Sequence, residues 1–284
     1  MLNIIANIKS GKGRGLKNVR KIVEYCLGKN IAYSLYLTNK PGHATELARS
    51  LTKNGGEIVA LGGDGTFHEV LNGISDIQNT ALGFIPSGRG NDFVRAAGCS
   101  LDPIKALEDI LRRETKSIDY IDVNGTRCLN VAGTGLDIDV LERVAGKTNK
   151  ISYLVSLIYC LHHFKPYHVK VKVNGEEHVF DCIMAGVCNG IAIGGNIRLS
   201  PLSLIDDGKL DVIVMTMPEN GRIMSVLPKF VKGKHMDLPI THHFVTDEVH
   251  IESNRPVQLD GEIYRNLSLD CKIVKGGLKT YKVK

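Results

Sequence analysis

The chain reads as a parallel α/β domain followed by an antiparallel β-rich domain. Three observations predict it. Across roughly the first 120 residues, short apolar runs alternate with segments of helical period. Loops bearing glycine recur at the ends of those apolar runs. Beyond about residue 124 the hydrophobic period changes to two, as in His168-Val169-Lys170-Val171-Lys172-Val173.

Met1 to Ile8 has no basic flank and too short an apolar run for a secretion signal, so a first strand is predicted over 2–8. A helix over 15–27 follows, with Leu16, Val19, Val23, Cys26 and Leu27 as its apolar stripe and Gly28 closing it. Strands at 32–37, 57–61 and 81–85 and helices at 43–53, 66–72 and 102–113 continue the alternation. In the helix over 66–72, Thr66 and Glu69 have capping-box spacing and Gly73 supplies an end. This order implies a Rossmann-like, mostly parallel sheet covered on both faces, with ligands beyond the carboxyl ends of its strands. In the second part, Asn174-Gly175 forms a type I′ hairpin turn, and strands are expected at 179–187, 209–217, 245–252, 256–260 and 267–274. That is an antiparallel β-sandwich or partial barrel. The change of period divides the chain into 1–123 and 124–284. A cleft between domains is the default place for a second substrate, and little chain follows Glu262 to fold back onto the first domain.

Four loops fall on one edge of the expected parallel sheet: Ser10-Gly11-Lys12-Gly13, Thr38, Gly62 to Thr66, and Pro86-Ser87-Gly88-Arg89-Gly90-Asn91-Asp92. The third closes the run Ile58-Val59-Ala60-Leu61-Gly62-Gly63-Asp64-Gly65-Thr66. Glycines let backbone approach phosphate oxygens, Asp64 can hold a magnesium ion directly or through water, and the following helix points its N-terminus at an anion. A nucleotide site is the reading that accounts for these features together.

Composition excludes several classes. With 43% hydrophobic and 23% charged residues, the 284-residue chain is ordinary globular protein. Seven cysteines, an odd number without a Cys-x-x-Cys pair, indicate buried thiols in a reducing, cytoplasmic compartment. His162-His163 and His242-His243 lack partners at zinc spacing, so no zinc site is assigned. The longest uncharged apolar stretch, Ile151 to Leu161, is about half of the ~20 residues a bilayer span needs. It is a packed or lipid-facing helix; with Phe164 it offers candidates for an acyl channel, core packing being the more ordinary role. Within the net charge of +6, Lys9, Lys12, Arg14, Lys17, Arg20 and Lys21 form a cationic cluster suited to triphosphate or to anionic lipid. Nucleic acid is the weaker reading of the cluster and is not assigned as a partner, because no aromatic residues interleave with these charges and no nucleic-acid motif occurs.

These residues resemble the diacylglycerol-kinase catalytic-domain family, particularly its soluble bacterial members, over nearly the whole chain. The resemblance rests on Asn7-x-x-Ser10-Gly11-x-Gly13, Gly62-Gly63-Asp64-Gly65-Thr66 with Glu69-Val70-Leu71-Asn72-Gly73, and Gly88-x-Gly90-Asn91-Asp92-Phe93. It continues through Asn130-Val131-Ala132-Gly133, Asp206-Asp207-Gly208-Lys209-Leu210-Asp211 and Asp260-Gly261-Glu262. The glycine motif alone is shared with phosphofructokinases and NAD kinases; the ordered series ending in Asp-Gly-Glu is specific. The resemblance implies a nucleotide-binding domain, a β-sandwich domain, and ATP- and Mg²⁺-dependent transfer to a lipid hydroxyl, with diacylglycerol as default acceptor. It implies that ATP lies against Asn7, Ser10, Gly11, Thr38, Gly62, Gly63, Asp64, Gly65, Thr66, Phe67, His68, Arg89, Asn91 and Asp92. Asp64 would hold the nucleotide-bound magnesium, and a second, structural magnesium would use the Asp207 side chain and the carbonyls of Leu204 and Lys209. Asp260 and Glu262 would activate the acceptor, Glu262 as first choice for proton acceptor. Peripheral association with the inner face of the membrane and a homodimer follow from the resemblance alone.

Two residues depart from the pattern: Ile8 stands where the family usually has proline, and Arg89 where it has threonine. Arg89 either clamps phosphate through its guanidinium or blocks the nucleotide. Two rival readings are an NAD-kinase-like enzyme with a soluble acceptor and a non-catalytic nucleotide- or lipid-binding regulator. Ser200-Pro201 is not followed by the threonine- and serine-rich loop in which NAD kinases resemble one another.

Overall fold

The computed structural model describes residues 1–144, 150–218 and 223–283. It divides into two compact units, Met1–Tyr120 with Lys275–Lys284, and Ile121–Val274.

The first unit alternates β1 (Leu2–Ala6), α1 (Arg14–Gly28), β2 (Tyr33–Leu37), α2 (His43–Leu51), β3 (Gly56–Gly62), α3 (Asp64–Gly73), β4 (Thr80–Pro86), α4 (Asp92–Ala96) and α5 (Pro103–Leu111). β2, β1, β3 and β4 lie side by side and are all parallel. Every residue of β4 is buried, as a sheet covered on both faces requires. Ile4, Ala6, Val59, Leu61 and Ile85 belong to the core that includes Val19, Ile22 and Cys26 of α1 and Leu107 and Ile110 of α5. Phe84 alternates with Ile85 along β4 and meets Phe67 and Phe93 edge-on, centroids 5.2 and 5.1 Å away.

The apolar stripe of α1 is rotated from its predicted phase. Gly15, Val19, Ile22 and Cys26 are buried, whereas Leu16 is 42% and Leu27 66% exposed. Gly15 turns inward because α1 lies so close to the preceding loop that a Cβ there would stand 2.7 Å from Ser10 Oγ. Gly28 is the last helical residue, but Asn30 takes the left-handed conformation, φ 53°.

β5 (Thr115–Val123) leads into the second unit: β6 (Thr126–Cys128), β7 (Val131–Gly135), α6 (Leu136–Val144), α7 (Lys150–His163), β8 (Tyr167–Val173), β9 (Glu176–Cys188), β10 (Leu210–Thr216), α8 (Leu227–Val231), β11 (Thr241–Thr246), β12 (Glu248–Glu252), β13 (Val257–Leu259), β14 (Glu262–Tyr264) and β15 (Leu269–Tyr281). Its strand pairs, β14-β13-β7-β9-β8-β12-β15 with β10 and β11 branching from β9, are antiparallel. β8 buries every second residue. β10 and the second half of β9, from Cys182 to Cys188, bury both faces: Val187 and Val212 join one core, while Met184, Ile213 and Met215 join another with Leu136, Leu157 and Leu161 of α6 and α7. Asn174 and Gly175 both have positive φ, 53° and 81°, as a type I′ turn demands. The strand expected over 245–252 is two strands, because β11 pairs with β10 whereas β12 pairs with β8 and β15.

β15 carries the chain back to the first unit, where Lys279 pairs with Ala81 in parallel register. Leu278 and Tyr281 are buried there, and Thr280 Oγ1 donates to the Leu82 carbonyl at 2.8 Å. The segment after Glu262 is therefore long enough to return, covering an edge of β4 that would otherwise stay open. Among the described residues no helix is long and apolar enough to cross a membrane. In the Ile151 to Leu161 stretch, Leu157, Cys160 and Leu161 are packed while Val155, Ile158 and Tyr159 are exposed; the side chains of residues 151–154 lie outside those described. Phe164 packs against both cores of the second unit.

Candidate functional site

The loops after β1, β3 and β4 are bound to one another. Asn7 N–H donates to Leu61 O at 2.9 Å, and the N–H groups of Ser87 and Gly88 both donate to Gly62 O, at 2.6 and 3.0 Å. Asn7 Nδ2 donates to Thr66 Oγ1 at 3.3 Å, and Ser10 Oγ bonds to Asn7 O and to Ser87 Oγ. The Arg14 guanidinium, a cation of the basic cluster, donates to Gly11 O and Gly88 O. Backbone crosses backbone here: a Cβ on Gly63 would stand 2.8 Å from Gly88 Cα, and one on Gly62 would strike the Thr66 side chain. Gly11, Lys12 and Gly13 are successively left-handed, φ 58°, 60° and 86°, and Lys12 bears the strain as a non-glycine. Thr38, at the end of β2, donates its N–H to Ala6 O at 2.9 Å.

α3 starts at Asp64 with extended Gly63 before it and no side chain capping it. Gly63 offers no side chain to cap that first turn, which carries the Asp64 carboxylate; a helix N-terminus at the loop edge suits an anion, or an anion held through a cation on Asp64. The expected capping box does not form: Glu69 instead accepts the N–H groups of Gly42 and Ala44, at 3.0 and 3.1 Å, and caps α2. Gly73 is needed for helix packing, since a Cβ there would meet Ala48 Cβ at 2.7 Å. Phe67 points its side chain into the core, fully buried, and spends its N–H on Gly63 O. His68 is also buried, with its carbonyl accepting from Asn72 Nδ2 at 2.9 Å.

Asp64 and Asp92 converge. A Cβ on Gly90 would lie 3.1 Å from Asp64 Oδ2 and 3.0 Å from Asp92 Oδ2, so both carboxylates face the space that glycine leaves. Asp64 Oδ1 accepts the Phe93 N–H at 3.3 Å. Two hard oxygen donors over a glycine fit a divalent cation of the magnesium class. Buried Asn91, left-handed at φ 50°, donates to Gly88 O at 3.1 Å, and its Oδ1 is buried without a hydrogen-bond partner among the described residues. Arg89 is exposed.

In the second unit, Asp260 and Gly261 are the central residues of a type I′ turn, φ 53° and 93°, that sets Glu262 opposite Leu259. The two carboxylates differ. Asp260 accepts the N–H groups of Asn130 and Leu129, at 2.8 and 2.9 Å, and lies 3.2 Å from Cys128 Sγ, whereas Glu262 is exposed. Burial, then the Asp260 charge, pushes the Cys128 thiol up. The Asp207 carboxylate is exposed and accepts the Lys209 N–H at 2.9 Å across Gly208; Leu204, three residues earlier, is also exposed. One carboxylate with neighbouring carbonyls is an oxygen donor set compatible with a hard cation. Among the described residues no group of three or more His, Cys, Asp or Glu could hold a metal.

Sequence reasoning missed how that loop is pinned. Asp211 accepts from Ser203 Oγ at 2.7 Å and bonds His243 Nε2 at 2.6 Å, and Ser203 also reaches Ser200 Oγ. It also missed Gln258 and Asp137, buried polar residues beside the Asp260-Gly261 turn. A glutamine at the centre of an otherwise apolar strand was the available signal.

Residues 1–123 match the family model of the diacylglycerol kinase catalytic domain, and 130–281 that of the YegS C-terminal NAD kinase beta sandwich-like domain. The chain is 27% identical to a Bacillus subtilis diacylglycerol kinase, covering 91% of this chain and 88% of that one. It is 30% identical to a Xanthomonas campestris protein named "Probable lipid kinase YegS-like", over 80% and 77% respectively. A crystal structure of a diacylglycerol kinase from Bacillus anthracis superposes with a TM-score of 0.80 at 26% identity, covering 99% of this chain and 96% of that one. An Archaeoglobus fulgidus NAD kinase, 15% identical with a TM-score of 0.51 and coverage of 100% and 94%, shares the fold. The chain belongs to the YegS-like lipid-kinase family, in which a diacylglycerol kinase catalytic domain is followed by an NAD-kinase-type β-sandwich domain.

Proposed function

We propose that this chain is an ATP- and Mg²⁺-dependent lipid kinase that transfers the γ-phosphate of ATP to the hydroxyl of diacylglycerol, giving phosphatidic acid. The observation that carries the reading is the crossing of glycine loops beside the N-terminus of α3, with Asp64 and Asp92 facing the space over Gly90. Relatives named diacylglycerol kinase support the acceptor. Asn7, Ser10, Gly11, Thr38, Gly62 to His68, Arg89, Asn91 and Asp92 line the nucleotide; for Phe67 only the backbone faces it. Asp64 and Asp92 would hold Mg²⁺, which would supply charge neutralisation at the phosphates.

Glu262 takes the acceptor proton on a carboxylate oxygen as the O–P bond forms, since it is exposed while Asp260 spends both oxygens on amides. Asp260 holds the turn. Asp207 with the carbonyls of Leu204 and Lys209 would hold a structural Mg²⁺ whose role is to brace that loop. The enzyme works in the cytoplasm at the inner face of the membrane, drawn there by exposed Lys9, Lys12, Lys17, Arg20 and Lys21.

The test is transfer of labelled γ-phosphate from ATP-Mg²⁺ into a lipid panel in mixed micelles, beside NAD. Labelled phosphatidic acid is expected, and Glu262→Gln should lower kcat by about 10²–10⁴-fold with ATP binding retained. Labelled NADP without labelled lipid would replace this reading with the soluble-acceptor one. Bound ATP without transfer to anything would favour a regulator.

A further inference from the structure

Two arms hold the turn that presents Glu262, and only one is explained so far. Asp260 reaches back to the amides of Leu129 and Asn130. On the other side stands Gln258, at the centre of β13 opposite Gly133 of β7 and 3% exposed. Its Oε1 accepts the Gly261 N–H at 2.8 Å. Its amide also bonds the carboxyl of Asp137, a buried residue in the first turn of α6. Gly133 makes room for that pair: a Cβ there would stand 2.8 Å from Asp137 Oδ2 and 3.1 Å from Gln258 Nε2. Gly133 has no positive φ to require glycine. A primary amide accepts at its oxygen and donates at its nitrogen whatever the pH, so glutamine is suited to link Gly261 with Asp137.

We propose that Gln258 and Asp137 are positioning residues for the transfer reaction. The Asp137 carboxyl anchors the Gln258 amide, which grips the Gly261 N–H and so sets where Glu262 is presented. The inference rests on the reading of Glu262 as proton acceptor. The groups facing Asp137 are Asp139 on its own helix, itself paired with Arg255, Tyr167 of β8, and Cys182 and Cys188 of β9. Burial first among these influences pushes the Asp137 carboxyl up to about 6.

The experiment compares Gln258→Leu, Gln258→Glu and Glu262→Gln in the full chain. Gln258→Leu should lower kcat by about 10- to 100-fold, the effect of a displacement near 1 Å, with the KM for ATP unchanged. Gln258→Glu sets two carboxyls against each other at neutral pH. A shared proton restores one donor and one acceptor, so its kcat relative to the unsubstituted chain should rise as the pH falls from 8 to 6. A purely structural role would not produce that acid rescue. If the leucine variant fails to fold, Gly133→Ala serves instead, since its methyl wedges between the two polar ends. Unaltered kcat in Gln258→Leu or in Gly133→Ala, with Glu262→Gln inactive, overturns the positioning inference and leaves the proposed function standing. Full turnover in Glu262→Gln overturns the proposed function itself.

Discussion

Substituting Gly63 with alanine tests whether the loops after β3 and β4 must touch. Gly63 has φ −109° and ψ −173°, open to any residue, so the backbone itself carries no penalty. The obstacle is Gly88: the new methyl would stand 2.8 Å from its Cα. Non-bonded carbons settle at about 3.5–4.0 Å, which leaves a shortfall near 1 Å. Gly88 cannot turn aside cheaply, because its N–H donates to Gly62 O at 3.0 Å. One loop must move, at about 1–3 kcal/mol of stability. A shift of about 1 Å in the proposed phosphate cradle should also lower turnover by roughly 10²-fold. Urea unfolding reads the first effect, and calorimetric ATP-Mg²⁺ binding with the transfer assay reads the second. Gly28→Ala is the control, having no atom within 4 Å of the new methyl and a negative φ. It should gain up to about 0.5 kcal/mol. Wild-type stability and ATP affinity in Gly63→Ala would refute the crossing.

Asp260→Ala should cost about 2–4 kcal/mol, since it strands the buried amides of Leu129 and Asn130 and leaves alanine at a positive φ. Exposed Glu262→Ala should stay within about 0.5 kcal/mol; urea midpoints separate the two. Asp270 is held down at about 2 by Ser268 Oγ first, then by His250 and Asn124. A depressed carboxyl stabilises the fold above its unfolded pKa, about 3.9, and that contribution fades as the pH falls toward 2. With the side chain 43% exposed, it should amount to no more than about 1 kcal/mol after screening. Unfolding midpoints of the parent chain and Asp270→Asn should therefore differ at pH 5 and converge near pH 2. Arg89→Thr, at an exposed position, should leave stability unchanged and raise the KM for ATP by about 3- to 10-fold. A lowered KM would mean that Arg89 obstructs the nucleotide.

The order of strands and helices was legible because the residues that decide it are neighbours. Alternation of apolar runs with helical periods marks β1 to α5 except the short α4, which was not foreseen, and Asn174-Gly175 marks its turn through backbone angles few other residues adopt. The glycine loops and the Asp260-Gly261-Glu262 series were equally visible. Less visible was what each side chain does there. Thr66 and Glu69 have capping-box spacing, yet Glu69 caps α2, across 27 and 25 residues of chain. Phe67 sits inside the glycine motif, but its ring completes an aromatic cluster with residues of β4 and α4.

The sequence by itself determined the fold class, the family motifs and the edge of the sheet on which the glycine loops gather, since period and turn chemistry act over a few residues. Only the tertiary structure decided that Asp260 is consumed by the amides of Leu129 and Asn130, that Gln258 grips Gly261, and that the last strand returns to cover β4. Those outcomes depend on which distant backbone groups are left unsatisfied once the sheets have formed, and spacing along the chain carries no record of that.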